Sequence, residues 1–89
     1  MKITISKSVV FQSIDEEKVV LNLETNKYHS LNQYGLIIWD LIDKEKNITF
    51  KALIEKIKKN YRIEDKTIID IKEYIYNLQS LNLINIEDE

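Results

Sequence analysis

The 89-residue chain carries 13 basic and 15 acidic side chains, a formal net charge of −2, with 44% hydrophobic and 31% charged residues. This is the make-up of one small globular domain spanning residues 1–89, near the lower size limit for independent folding, and not of a disordered segment. With no cysteine, no proline and Gly35 as its sole glycine, the chain excludes disulfide frameworks, thiolate zinc sites, Cys nucleophiles and Gly-rich phosphate loops.

Sixteen Ile, nine Leu and four Val supply a core. No apolar run approaches the roughly 20 residues that span a bilayer. Met1-Lys2-Ile3-Thr4-Ile5-Ser6 alternates apolar with polar residues, unlike the apolar region of a signal peptide. The expectation is a cytoplasmic protein with no membrane partner.

In chain order, the first third reads as β. Ile3, Ile5 and Val9-Val10-Phe11 make one short mixed run, followed by a polar loop at Asp15-Glu16-Glu17. Val19-Val20-Leu21-Asn22-Leu23 is β-branched and apolar, Glu24-Thr25-Asn26-Lys27 has turn chemistry, and Tyr28-His29-Ser30-Leu31 resumes an extended segment. Two such runs around a short Asn-containing turn predict a hairpin.

The remaining two thirds read as helix. Asn32 is an acceptable N-cap for a first helix near 33–43 carrying Leu36, Ile38, Trp39 and Ile42. Thr49 caps a second, in which Phe50, Leu53, Ile54 and Ile57 recur at three- and four-residue spacing with lysines outside. Asp65 or Thr67 opens a third, with Ile68, Ile71, Ile75 and Leu78 on one stripe. Leu83, Ile84 and Ile86 close the chain as a short extended tail. The predicted class is α+β: a winged helix-turn-helix-like domain with an N-terminal three-stranded antiparallel sheet followed by three helices.

Catalytic chemistry finds no support in these residues. His29 is the only histidine, so no two-His metal motif exists, and no serine carries a nucleophile signature. The carboxylates of Asp15-Glu16-Glu17 and Glu87-Asp88-Glu89 fall in a loop and at a terminus, where solvation keeps them ordinary acids. The expectation is no enzyme, no catalytic residue, no metal and no cofactor.

The one basic cluster is Lys51, Lys56, Lys58, Lys59 and Arg62, on and just after the second helix. In a helix-turn-helix the later helix enters the groove. Here that helix offers Asp70, Lys72, Glu73 and Asn77, and its carboxylates repel phosphate. A solvated face accounts better for the lysines, so nucleic acid is not the expected partner. Trp39 reads as core, whereas Tyr76, among Lys72, Glu73, Gln79 and Ser80, reads as exposed or groove-lining.

The run Leu31-Asn32-Gln33-Tyr34-Gly35-Leu36-Ile37-Ile38-Trp39-Asp40-Leu41-Ile42 resembles the PqqD-like family, the recognition elements for ribosomally synthesised, modified peptides. Its pattern is a hairpin with an aromatic residue, then Leu-Asn, two residues, Gly, two residues, Ile-Trp and an apolar pair. Asn26 to Asn32 matches the hairpin end, Gly35 with Ile38-Trp39 the helix, and Ile71 to Leu78 the third helix. The resemblance runs from about Val9 to Ile84. Asn26 and Asn82 stand where such proteins often have Gly, and Asn tolerates positive φ.

The resemblance implies capture of a precursor's leader peptide for a separate leader peptidase or other modifying enzyme. Members of this size resemble the leader-binding subunit of lasso-peptide systems; the same element also serves quinone-cofactor and radical-enzyme pathways. An edge strand with unpaired N–H and C=O groups suits that role by strand addition. Lys27, Tyr28, His29, Ser30 and Leu31 are then the expected edge. Ile68, Ile71, Lys72, Ile75 and Tyr76 are the expected groove wall, although Ile71 and Ile75 equally suit the core. The parity of the edge hydrogen bonds stays open at this point. A winged-helix DNA-binding regulator is the alternative reading.

Overall fold

A computed structural model describes residues 1–88. Six strands and three helices follow along these residues: β1 (Lys2–Ile5), β2 (Val9–Ile14), β3 (Glu17–Asn22), β4 (Lys27–Leu31), α1 (Gln33–Glu45), β5 (Ile48–Thr49), α2 (Phe50–Asn60), α3 (Asp65–Ser80) and β6 (Ile84–Glu87). The strands form two antiparallel sheets, ordered β2-β3-β4 and β5-β1-β6. The α+β class and the three-stranded N-terminal sheet are as expected from sequence, with winged helix an approximate description.

Turn residues shape the meander β2-β3-β4. Asp15 (φ 56°) closes the β2–β3 hairpin and Asn26 (φ 59°) the β3–β4 hairpin, with Asn82 (φ 60°) between α3 and β6. All are residue types that enter the left-handed region at small cost. The meander's inward face carries Phe11, Val20 and Leu31. Phe11 sets its ring edge-on to Trp39 of α1, centroids 5.6 Å apart. Lys18 Nζ lies 5.1 Å from the centre of the same ring and 2.7 Å from Asp40 Oδ1, tying β3 to α1.

The core lies between the two sheets and the helices. Ile3, Trp39, Ile42, Leu53, Ile75 and Leu83 are fully buried, each contributing about 1.5–3 kcal/mol by leaving water. Two of the caps expected from sequence form: Asn32 Oδ1 accepts from the Gly35 N–H at 2.8 Å, and Thr49 Oγ1 from the Ala52 N–H at 3.1 Å. The third helix starts at Asp65 after Glu64, without a side-chain cap bond.

The front of the chain differs from the sequence expectation. Ile3-Ile5 and Val9-Phe11 are not one run; a turn at Lys7-Ser8 parts them. β1 joins the second sheet, with Ile3 opposite both Ile48 and Ile86. Its partners come from the middle and the far end of the described chain, so no local pattern announces the pairing. The expected extended tail is β6, recruited to that sheet.

One polar side chain sits wholly inside. Asn22 at the end of β3 donates through Nδ2 to the carbonyls of Leu81 (3.3 Å) and Asn82 (3.1 Å). Its Oδ1 accepts from the N–H groups of Glu24 (2.9 Å) and Thr25 (3.2 Å). It therefore shapes the β3–β4 turn and pins that turn to the segment after α3. Asn22→Ala removes all four bonds and is expected to cost roughly 2–4 kcal/mol in urea unfolding. Asn22→Asp keeps the acceptor but faces two carbonyls with a buried carboxylate, and is expected to cost more.

Candidate functional site

β4 is an edge strand, and its register shows which backbone groups are free. Leu23 N–H bonds to Ser8 C=O at 2.7 Å, which makes the odd-numbered residues of β3 face β2. The even ones therefore face β4, where Lys18 lies opposite Leu31, Val20 opposite His29 and Asn22 opposite Lys27. In an antiparallel ladder the directly bonded pairs alternate. Lys27, His29 and Leu31 thus spend their N–H and C=O on β3, while those of Tyr28 and Ser30 point to the open side. No other described residue hydrogen-bonds the outward groups. This is a template for another strand.

Side chains alternate across the sheet as well. Leu31 is buried and His29 half-buried on the inner face, and Tyr28 and Ser30 are exposed on the outer one.

Contacts at both ends of β4 align α3 with it. At the Lys27 end, Asn22 holds Leu81 and Asn82, just past the C-terminus of α3. At the Leu31 end, the Tyr74 hydroxyl of α3 rests over Gly35 in the first turn of α1, beside Asn32. α3 therefore runs antiparallel to β4.

Where α3 meets the start of α1, a cavity of about 260 Å³ opens, lined by Asn32, Tyr34, Ile38, Thr67, Asp70, Ile71 and Tyr74. A second, of about 280 Å³, continues from it, sharing Tyr34, Ile38, Thr67 and Ile71, and reaches Ile57, Tyr61, Arg62 and Ile63. The floor is isoleucine and the rim polar, the composition of a peptide or small-ligand groove. Burial raises the pKa of Tyr74 above its ordinary 10.0, so the phenol stays neutral and able to donate at neutral pH.

The structure brings together only some of the residues singled out in the sequence. Lys27 to Leu31 form the edge, and Ile71 lines both cavities while remaining 5% exposed. Ile75 is fully buried in the core, and Ile68 is partly buried against it. Lys72 turns towards α2, its Nζ 5.8 Å from the centre of the Phe50 ring, and Tyr76, about half exposed, shares that side of α3. At 100° per residue both lie across the helix from Asp70 and Tyr74. Asn32, Tyr34, Thr67, Asp70 and Tyr74 line the groove, and none of them was expected there from sequence. Only Gly35 hinted at them, since a lone glycine inside a helix signals a close neighbour.

Among the described residues no group of three or more His, Cys, Asp or Glu is placed to hold a metal ion. Among the same residues no helix is long and apolar enough to cross a membrane.

The family model described as Coenzyme PQQ synthesis protein D (PqqD) matches residues 17–84, from the start of β3 to the start of β6. The chain belongs to the PqqD family. Among solved structures it is similar to the chain described as TbiB1 in complex with the TbiA(β) leader peptide, at 26% identity and a TM-score of 0.82. That match covers 97% of this chain and 99% of the other. No curated protein sequence matches.

Gly35 has an ordinary negative φ, so what it supplies is space. A Cβ there would run into the Tyr74 hydroxyl, with Tyr74 Cζ at 3.0 Å and Asn32 Oδ1 at 3.3 Å. Helix propensity alone favours Gly35→Ala by about 1 kcal/mol. The expected result in urea unfolding is the opposite, a loss of about 1–3 kcal/mol from overpacking. Adding Tyr74→Phe should recover most of that loss, a coupling that a double-mutant cycle measures.

Proposed function

We propose that this protein binds the leader region of a ribosomally made precursor peptide by strand addition to β4, and hands it to a separate leader peptidase or other modifying enzyme, most simply in lasso-peptide assembly. The observation that carries this reading is the similarity to TbiB1, a leader-peptide complex, over nearly all of both chains. The free edge supplies the means: Tyr28 and Ser30 offer main-chain groups to the incoming strand. Ile71, Thr67, Asp70 and Tyr74 form the wall beside it. The protein acts as a binding module without chemistry of its own, in the cytoplasm where the precursor is synthesised.

The DNA-binding reading is not favoured. α3 carries Asp65, Asp70 and Glu73 against two lysines, Lys66 and Lys72, and the only arginine is Arg62, outside that helix. No bidentate guanine contact is available from it.

The test uses fluorescein-labelled leader segments from short reading frames beside the gene for this protein, followed by fluorescence polarisation. Ser30→Pro removes an outward donor, and is expected to leave a folded domain by circular dichroism that has lost about tenfold or more in affinity. His29→Pro breaks the ladder to β3 and is expected to unfold the domain. Full-strength binding by folded Ser30→Pro protein overturns strand addition to this edge.

Salt separates peptide from nucleic acid. Between 50 and 500 mM salt the leader affinity is expected to fall by less than about tenfold, because a peptide has no condensed counterions to release. A fall of about a thousandfold, the size expected from several phosphate-like contacts, would overturn the apolar-groove picture.

A further inference from the structure

The basic cluster at the end of α2 lies at the far end of the groove. The second cavity, floored by Ile37, Ile38, Ile57, Ile63 and Ile71, opens past Tyr61 and Arg62 into a shallow depression lined by Lys58, Lys59 and Arg62. Among the described residues none of these three cations forms an ion pair; the salt bridges use Lys18, Lys46 and Lys56. The nearest carboxylates along the chain are Glu55, one turn before Lys58 and Lys59 on α2, and Glu64 and Asp65 at the start of α3; none of the three lines the cavity or the depression. A chain of net charge −2 thus presents a local positive site where the groove ends.

The path is continuous. Asn32, the residue after β4, lines the first cavity, and that cavity shares four residues with the second. A strand leaving the Leu31 end of β4 is therefore directed across the first turn of α1 and along α3 towards Arg62. At about 3.3 Å per residue, a 16-residue segment reaches roughly 50 Å, more than the longest 35 Å dimension of the molecule.

Resting on the leader-binding reading above, we propose that the groove from Tyr34 to Arg62 takes the part of the same peptide that lies beyond the added strand, selecting a large apolar side chain for the isoleucine-lined cavity and acidic residues just outside it for Lys58, Lys59 and Arg62. The apolar anchor supplies affinity; the acidic residues fix orientation and register, because like charges at that end are repelled. The basic cluster, a solvated face when read from sequence alone, becomes the charge-selecting end of the recognition surface.

The test needs no known leader. A display library of random 16-residue peptides is selected on three folded proteins: the wild type, a Lys58→Glu/Arg62→Glu variant, and Ser30→Pro. All three altered side chains are exposed, and thermal melts confirm folding. The wild type is expected to enrich peptides with a Leu, Ile, Phe or Tyr next to Asp or Glu, at a fixed distance from a β-forming stretch. The charge-reversed protein is expected to enrich Lys or Arg at the same place. A wild-type peptide synthesised with fluorescein is expected to lose about tenfold in affinity for the reversed protein at 50 mM salt, and less than about threefold at 500 mM, where screening is strong. The same acidic preference in both proteins, or none in either, overturns the inference and leaves strand addition standing. Enrichment of the same peptides on Ser30→Pro overturns strand addition itself. Failure of every protein to enrich peptides overturns both.

Discussion

Asn22 is fully buried, and both polar atoms of its side chain are occupied twice over. Two of those bonds shape the turn between β3 and β4; the other two reach carbonyls of the segment leaving α3. A hydrophobic residue at this position would bury as well but would hold neither partner in place. The buried amide therefore supplies direction where the isoleucine core supplies only cohesion. In a domain this small the core alone leaves a narrow margin of stability, so a directional joint between its two halves matters more than it would in a larger protein. The relative placement of edge strand and third helix, and with it the width of the groove, depends on that joint.

The opposite end is held differently. There the Tyr74 hydroxyl lies against Gly35, and Asn32 caps the same helical turn. One end relies on hydrogen bonds and the other on close packing, with Ile75 and Leu78 buried in between. A ligand strand on β4 would enter a frame already set at both ends, so little ordering is left to be done on binding. The exposed side chains of Tyr28 and Ser30 do not define that frame; they only border it.

Much of this was legible in the residues, and the rest was hidden for identifiable reasons. Asn32 and Thr49 were recognisable as caps because capping is a matter of one side chain and the turn that follows it. Asn26 and Asn82 were recognisable as left-handed positions through the resemblance, because they stand where such proteins often have Gly. The stripes of α2 and α3 followed from periodicity. Strand β1 escaped because its partners, β5 and β6, are distant in sequence and one of them is two residues long. The surroundings of the cavity beside α1 were only partly legible: periodicity shows that Ile71, Ile75 and Leu78 share a face, but not which flank of that face looks towards α1. Lys72 and Tyr76 belong to one flank, Asp70 and Tyr74 to the other. Only the contact of Tyr74 with Gly35 decides between them, and it joins residues from two helices.

The hairpin turn at Asn26 has a consequence that reaches beyond its own four residues. By setting how β3 and β4 are phased, it decides that Tyr28 and Ser30, rather than Lys27 and His29, present their main-chain groups outward. A single residue gained or lost in Leu23–Asn26 would exchange those roles and turn Leu31 away from the core in the same stroke. Length variation in this turn is thus confined to changes that keep the phase of β4. The outer side chains of the edge, by contrast, are free to drift. The identity of the open edge is stored in the length and handedness of a loop rather than in the letters of the strand it exposes.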